Sequence, residues 1–371
     1  MPAIGFIVNP VAGLGGPAGL NGSDGSDVQA EARRLGFEPN SCARAVRFLL
    51  ALVDSKSRCE LFTGAGALGE EAALLADWKP RVVYRSQSPD TKPGDTKSLA
   101  TRLCAEGIDL LVFVGGDGTA RDVAEAVGDH RLCLGVPAGV KMQSSVFAVT
   151  PEGASALTRE VLAGRYVDSI GEVVDIDEGL RRQGRLASKL YASLRVPTGK
   201  HRVQGRKMGS GSVNRNSLEG IARECISRFR PGHTVLLGPG TTVQAVSQML
   251  GIQGTLLGVD VWSEGQLAIL DANAHELENL VASTPVQLVV SPIGGQGVIL
   301  GRGNQQIDEA VLAGVATEDL LILCEPSKLA ELGGGPLFVD LATPEANLRW
   351  SGYQRVIVGA GQEAVVKVTS S

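Results

Sequence analysis

The chain has 371 residues, 43% apolar and 20% charged, with a formal net charge of −5: an ordinary globular balance, with length for two full cores. The weak negative charge and an aromatic content of 4% argue against a nucleic-acid footprint, an anionic-membrane surface and a base-stacking platform. Cys42, Cys59, Cys104, Cys133, Cys225 and Cys324 form no C-x-x-C pair and read as reduced thiols of a cytoplasmic protein. No basic leader precedes "IGFIVNP", and no apolar run reaches the roughly 18 residues of a membrane span.

Residues 3–9 read as a buried strand ending at Asn9-Pro10, and a glycine-rich loop far longer than a turn requires follows. A helix with Ser41 as its N-cap is expected over 41–53, a strand over 59–64, a helix over 66–78 and a strand over 81–86. The segment 94–107 reads as a helix capped by Asp95 or Thr96, 109–119 as a strand running into "GGDGT", 120–128 as a short helix and 132–139 as a strand. This β-α-β-α alternation predicts an α/β unit built on an open, mostly parallel sheet. Ligands of such sheets bind outside the carboxyl ends of the strands, where Asn9, Gly64, Gly115 and Pro137 fall.

Beyond residue 146 the pattern is less regular, and a domain boundary is placed there, giving units of 1–146 and 147–371. A helix is expected over 152–165, strands over 171–179 and 186–197, and an exposed basic loop over 198–217. "TVLLGPGTT" (234–242) is a second strand running into a glycine loop, with a helix behind it; 254–262 and 286–307 repeat strand-then-loop.

The most informative stretch is "VFVGGDGT". Glycines at the mouth of a buried strand let a phosphate reach main-chain amides and the positive end of the next helix. Asp117 is then the odd residue, since phosphate repels a carboxylate. It fits if it takes a proton from an attacking hydroxyl or helps hold a cation beside the nucleotide. The bland alternative is a tight turn whose aspartate caps the helix. Thr119 could donate to phosphate or act as the cap.

Other glycine loops carry weaker signals. The 13–25 loop has no lysine and is not a P-loop; its position after the first strand favours a ligand role over a mobile surface loop. Gly238, Gly240, Thr241 and Thr242, with Asp260 some twenty residues on, follow the glycine-and-acid logic of ribose-phosphate sites without the full fingerprint. Gly294, Gly295, Gln296, Arg302, Asn304 and Gln305 suggest a substrate or interface loop, against a solvated turn. His130, His201, His233 and His275 have no metal-ligand spacing, so no protein-held metal is expected. Asp175 and Asp177 fit a solvated strand face, and Ser144 and Ser145 lie in no nucleophile elbow.

Taken together, "VNPVAGLGG", "GDTKSLA", "VFVGGDGTARDV", "GVPAGVKMQSSVFA", "GPGTTVQAV", "LLGVDVW", "SPIGGQGVILGRGNQQI" and "SKLAEL" resemble the NAD kinase–diacylglycerol kinase superfamily, and within it the ATP-NAD kinase/AcoX branch. The resemblance runs from residue 4 to about 368. It implies an α/β N-terminal domain, a β-rich mixed C-terminal domain and a cleft site between them. It also implies ATP and Mg²⁺ as cofactors, NAD or a similar small molecule as substrate, NADP as product, and a homo-oligomer. Asp117 takes the place of the catalytic base. Gly115, Gly116, Gly118 and Thr119 fall on the phosphate turn, Asn9, Gly13, Gly15 and Gly16 on the first-strand nucleotide loop, and Asp95 and Thr96 on a polar pair facing the cleft. Two positions depart from the branch: Asn21 stands where relatives often carry lysine, and Gln143 where they carry histidine. Arg121 or Lys141 could supply the missing charge. Rival expectations are a kinase of another acceptor and a nucleotide sensor without turnover.

Overall fold

Six consecutive buried residues, Ala3–Val8, make strand β1. Side chains alternate across a strand, so Ile4, Phe6 and Val8 enter one core while Ala3 and Ile7 enter another. The computed structural model describes residues 1–20, 25–88, 91–139, 142–176, 188–198, 215–293 and 297–370. Among them β1, β2 (Glu60–Gly64), β3 (Arg81–Tyr84), β4 (Leu110–Gly115) and β5 (Cys133–Pro137) form a parallel sheet of order β3-β2-β1-β4-β5. The chain runs outward from β1 to β3 and then crosses back to β4. The order therefore reverses between β1 and β4, which opens a crevice at their carboxyl ends.

Helix α1 (Ser26–Arg34) precedes α2 (Ser41–Ala51); α2, α3 (Glu70–Leu75) and α6 (Pro151–Leu162) cover the Phe6 face, burying Phe48, Ala73 and Leu157. Helices α4 (Pro93–Ala105) and α5 (Asp117–Val127) cover the other face, where Leu99, Leu103 and Val123 meet Ile7, Leu111 and Phe113. Full burial of each such side chain contributes about 1.5–3 kcal/mol. The antiparallel hairpin of β6 (Val167–Ile176) and β7 (Ser188–Thr198) adds Val173, Leu194 and Val196 to that second core. Elements packed on the first sheet thus extend through Thr198, past residue 146.

The second unit starts with α7 (Arg215–Ser227) and holds a nine-stranded mixed sheet of order β10-β9-β8-β11-β13-β15-β16-β14-β12. Its strands are β8 (Thr234–Leu237), β9 (Asp260–Ser263), β10 (Gln266–Ile269), β11 (Val286–Val290), β12 (Val298–Leu300), β13 (Leu320–Leu323), β14 (Leu337–Val339), β15 (Gly352–Gly359) and β16 (Gln362–Thr369). The neighbours β8, β11, β13 and β15 run parallel. Between these strands lie α8 (Thr241–Met249), α9 (Ala274–Val281), α10 (Glu309–Ala313), α11 (Pro326–Glu331) and α12 (Pro344–Trp350). The strand-then-loop units read over 234–307 and the β-rich domain implied by resemblance meet in one mixed sheet.

The units touch along a seam. The Ala274 amide at the start of α9 donates to Pro17 O at 3.0 Å, and Phe37 stacks on His275 with ring centroids 4.4 Å apart. No helix among the described residues is long and apolar enough to cross a membrane.

Candidate functional site

The end of β4 and the start of α5 form the floor of the crevice. A Cβ on Gly139 would lie 2.8 Å from Gly116 Cα, so the β4 and β5 exits approach more closely than side chains permit. The Ala138 and Gly139 amides both donate to Gly115 O, at 2.9 and 3.1 Å. Gly116 is the N-cap of α5 and makes no side-chain cap bond; Asp117 is the first helical residue.

Asp117 does not cap its own helix. Its carboxylate oxygens accept main-chain N–H groups from the segment that follows β5, Oδ2 from Gln143 at 2.8 Å and Oδ1 from Ser144 at 3.0 Å. Ser144 is itself buried, and its hydroxyl accepts the Val174 amide at 3.0 Å on β6. The hairpin thereby steadies the segment that holds Asp117. Beside it, Asn9 Nδ2 donates to Thr119 Oγ1 at 2.8 Å, which joins the end of β1 to the first turn of α5.

The glycine loop after β1 is a chain of tight turns, not an open loop. Gly16 N–H reaches Gly13 O at 3.2 Å and Leu20 N–H reaches Gly15 O at 2.9 Å. Leu14 and Ala18 are buried with Phe37 and Ala274, so second-unit side chains cover the loop. A Cβ on Gly16 would lie 1.5 Å from Gln305 Oε1, so a larger residue there would force the Gln305 side chain aside.

A buried charge cluster closes the seam. Arg44 on α2 donates to Pro137 O and pairs with Asp340, whose carboxylate is fully buried just after β14. Arg47, one turn on, bonds Leu341 O at 2.8 Å, Glu152 at 2.9 Å and Asp340 at 3.4 Å. Burial alone would raise the Asp340 pKa, but the Arg44, Arg47 and Arg302 guanidiniums hold it below the usual carboxylate value. Arg302 is 4% exposed. Desolvation pulls its pKa down to about 10; Asp340 and Asp117 oppose that fall and Arg44 adds to it. Arg302 therefore stays charged near neutrality and is felt by Asp117.

The structure brings Asn9, Gly13, Gly15, Gly16, Gly115, Gly116, Asp117, Gly118, Thr119 and Arg302 to this crevice and its seam. Other candidates hold structure. Asp95 accepts the Lys92 amide at 2.7 Å and the Tyr84 hydroxyl at 2.8 Å. Although burial pushes the other way, those bonds depress its pKa; Thr96 is buried beside it. Asp260 is spent on Thr255 N, Thr255 Oγ1 and Asp271 N, at 2.6, 3.0 and 3.0 Å, closing a turn. Asn304 folds back onto Gly301 N and Ile299 O, both at 2.9 Å. Gly240, the N-cap of α8, donates its amide to Leu256 O at 2.9 Å, and Gly238 donates to Val289 O at 2.9 Å; Thr242 is buried and Thr241 exposed. The guanidinium of Arg121 lies over the Tyr191 ring, 5.8 Å from its centroid, on the hairpin. Asn21, Lys141, Gly294, Gly295, Gln296, His201 and Asp177 lie outside the described residues. Ser41, expected as the N-cap of α2, is its first helical residue, with Asn40 as the cap.

Sequence reasoning missed Arg44, Arg47 and Asp340. For Asp340 a signal existed: it is an acid directly after a short apolar strand, "LFVD", as Asp117 lies just beyond another.

Comparison with known proteins bears on this arrangement. Residues 4–166 match the profile of the ATP-NAD kinase N-terminal domain, and residues 231–368 that of the ATP-NAD kinase C-terminal domain. Curated proteins give no significant match. Among solved structures, a chain from Listeria monocytogenes described as a UDP-N-acetylglucosamine 2-epimerase aligns over 90% of this chain and 82% of its own, at 12% identity and a TM-score of 0.27. A TM-score that low carries no argument about fold. The two profiles together span most of the sequence and fall on the crevice and on the unit that closes it, so the chain belongs to the ATP-NAD kinase family.

Proposed function

We propose that the chain is an ATP-dependent kinase that phosphorylates a hydroxyl of NAD or a related nucleotide-like small molecule, with Asp117 as general base. One observation carries this reading: a carboxylate at the mouth of β4, held by the Gln143 and Ser144 amides in the crevice where the strand order reverses. An ionised carboxylate has about four acceptor sites, so the two amides orient Asp117, and this reading asks the acceptor hydroxyl to use another.

On this reading the acceptor hydroxyl lies within hydrogen-bond reach of Asp117. Its oxygen attacks the terminal phosphorus of ATP and the bridging P–O bond breaks. ADP leaves, and the hydroxyl proton passes to Asp117. The amides opening α5 face the transferred phosphoryl group, and the Arg302 charge offsets developing negative charge from the second unit. Among the described residues no three His, Cys, Asp or Glu side chains converge as a metal cage. Mg²⁺ would be carried by the nucleotide phosphates, whose charge it would neutralise.

The sensor alternative leans on Gln143 and Asn21. Residue 143 serves Asp117 through its main-chain amide, which any side chain preserves, and this supports turnover. The test is incubation with ATP, Mg²⁺ and NAD, with NADP read by an NADP-specific dehydrogenase. One ADP per NADP is expected. ATP consumption with another acceptor only would replace NAD; no consumption with any acceptor would refute the kinase.

A further inference from the structure

Three buried polar atoms at the seam have no hydrogen-bond partner: Asn40 Oδ1, Ser41 Oγ and Gln305 Oε1. Asn40 and Gln305 flank one glycine turn, and Ser41 follows Asn40 at the start of α2. A Cβ on Gly13 would lie 2.1 Å from Asn40 Oδ1, and one on Gly16 would lie 1.5 Å from Gln305 Oε1. Gly13 and Gly16 are themselves bonded, N–H to O at 3.2 Å. Ser41 is the first residue of α2 and is 1% exposed. Folded chains seldom bury several unsatisfied polar groups side by side, so a ligand group is a direct explanation.

The electrostatics give the ligand its sign. Helix α2 is eleven residues long, its N-cap makes no side-chain bond, and its first turn has no acid. Arg44 stands one turn in, and the charge of Arg302 is felt from the second unit. A positive helix end with guanidiniums beside it selects an anion. Ser41 can donate as it stands. The Asn40 and Gln305 amides become donors by a half-turn that exchanges oxygen for NH₂.

We propose that the α2 N-terminus, with Asn40 and Ser41 from the first unit and Gln305 from the second, is a subsite for a nucleotide's diphosphate, separate from the GGDGT turn. It rests on the kinase reading above, since transfer between two nucleotides needs places for two phosphate chains. The α5 turn takes the transferred end, and the α2 turn takes the other diphosphate. Gln305 turns off Gly16 to admit it, and the bound group then joins the two units.

The test is titration calorimetry on the full chain with inorganic pyrophosphate, followed by competition with ADP and with NAD. Saturable pyrophosphate binding is expected, weakened about tenfold or more by Ser41→Ala and by Gln305→Ala. The nucleotide that displaces pyrophosphate identifies the source of the diphosphate. Failure of the wild type to bind pyrophosphate, displacement by neither nucleotide, or unchanged affinity in both variants would overturn the proposal. Gln305 lies on a surface contact of the seam, so its variant stays informative if Ser41→Ala fails to fold. Site-dependent pyrophosphate binding without ATP consumption by any acceptor would refute the kinase and keep the subsite; NADP formation with unaltered affinities would do the reverse.

Discussion

Asn9 and Thr119, 110 residues apart in sequence, meet at 2.8 Å through the Asn9 amide nitrogen and the Thr119 hydroxyl. The same asparagine donates its main-chain N–H to Val114 O at 3.0 Å and accepts the Val11 amide on Oδ1 at 3.2 Å. One side chain thus sets the spacing between the β1 exit and the first turn of α5. Asn9→Ala is expected to destabilise the chain by about 1–3 kcal/mol, since Thr119 Oγ1 is left buried without its donor. Chemical denaturation would measure this, and a stability unchanged within error would remove Asn9 from that role.

Asp340 gives a pH prediction. Its folded pKa lies below the unfolded value because three arginines outweigh its burial. It therefore contributes stability that is fully present above the ordinary carboxylate pKa near 4 and is lost as pH falls through the lower folded value. Asp340→Asn should cost about 3–5 kcal/mol at neutral pH, because Arg44 is left buried without its partner. It should also flatten the acid limb of a Tm-against-pH curve. An unchanged acid limb in the variant would mean that other carboxylates govern acid unfolding.

Gly16 and Gln305 form a pair that a double-mutant cycle can separate. A methyl on Gly16 would collide with Gln305 Oε1, so Gly16→Ala should weaken the seam and lower Tm. Gln305→Ala in the same chain should recover most of that loss, with a coupling of about 0.5–3 kcal/mol. Strictly additive effects would show that the two do not meet in solution.

The cysteines should be slow to alkylate in the folded state. Burial pushes the Cys59 and Cys324 thiols up to about 11 and Cys225 up to about 12, and the thiolate is the reactive form. Mass spectrometry after iodoacetamide at mild alkaline pH should find Cys42 and Cys104, the partly exposed pair, labelled first. Early modification of Cys225 would indicate that α7 opens locally.

What the sequence reveals here is local. The strand into GGDGT is five buried apolar residues, Leu110 to Val114, followed at once by glycine, so strand, turn and Asp117 are read from one stretch. The Arg44–Asp340 pair joins residues 296 apart, and nothing in the spacing of "SCARAVRFLLA" says where its arginines point. Asp260 and Asn304 show the opposite case, each bonded to its own turn in a way the sequence does not reveal. A polar residue in a glycine loop looks the same whether it binds a ligand or closes its own turn, and only its hydrogen-bond partners separate the two. Strands β13 and β14, "LLIL" and "LFV", are short and buried throughout, so they lack the alternation that would announce them.

The proposed kinase gives the acceptor's hydroxyl proton to Asp117. The most direct test of that step is rapid-quench transfer of labelled terminal phosphate from ATP to NAD by the wild type and by Asp117→Asn, with ATP affinity measured in parallel. The account predicts a transfer rate lowered about 10²–10⁴-fold in the variant, with ATP bound about as tightly as before. Equal transfer rates in the two proteins would contradict it.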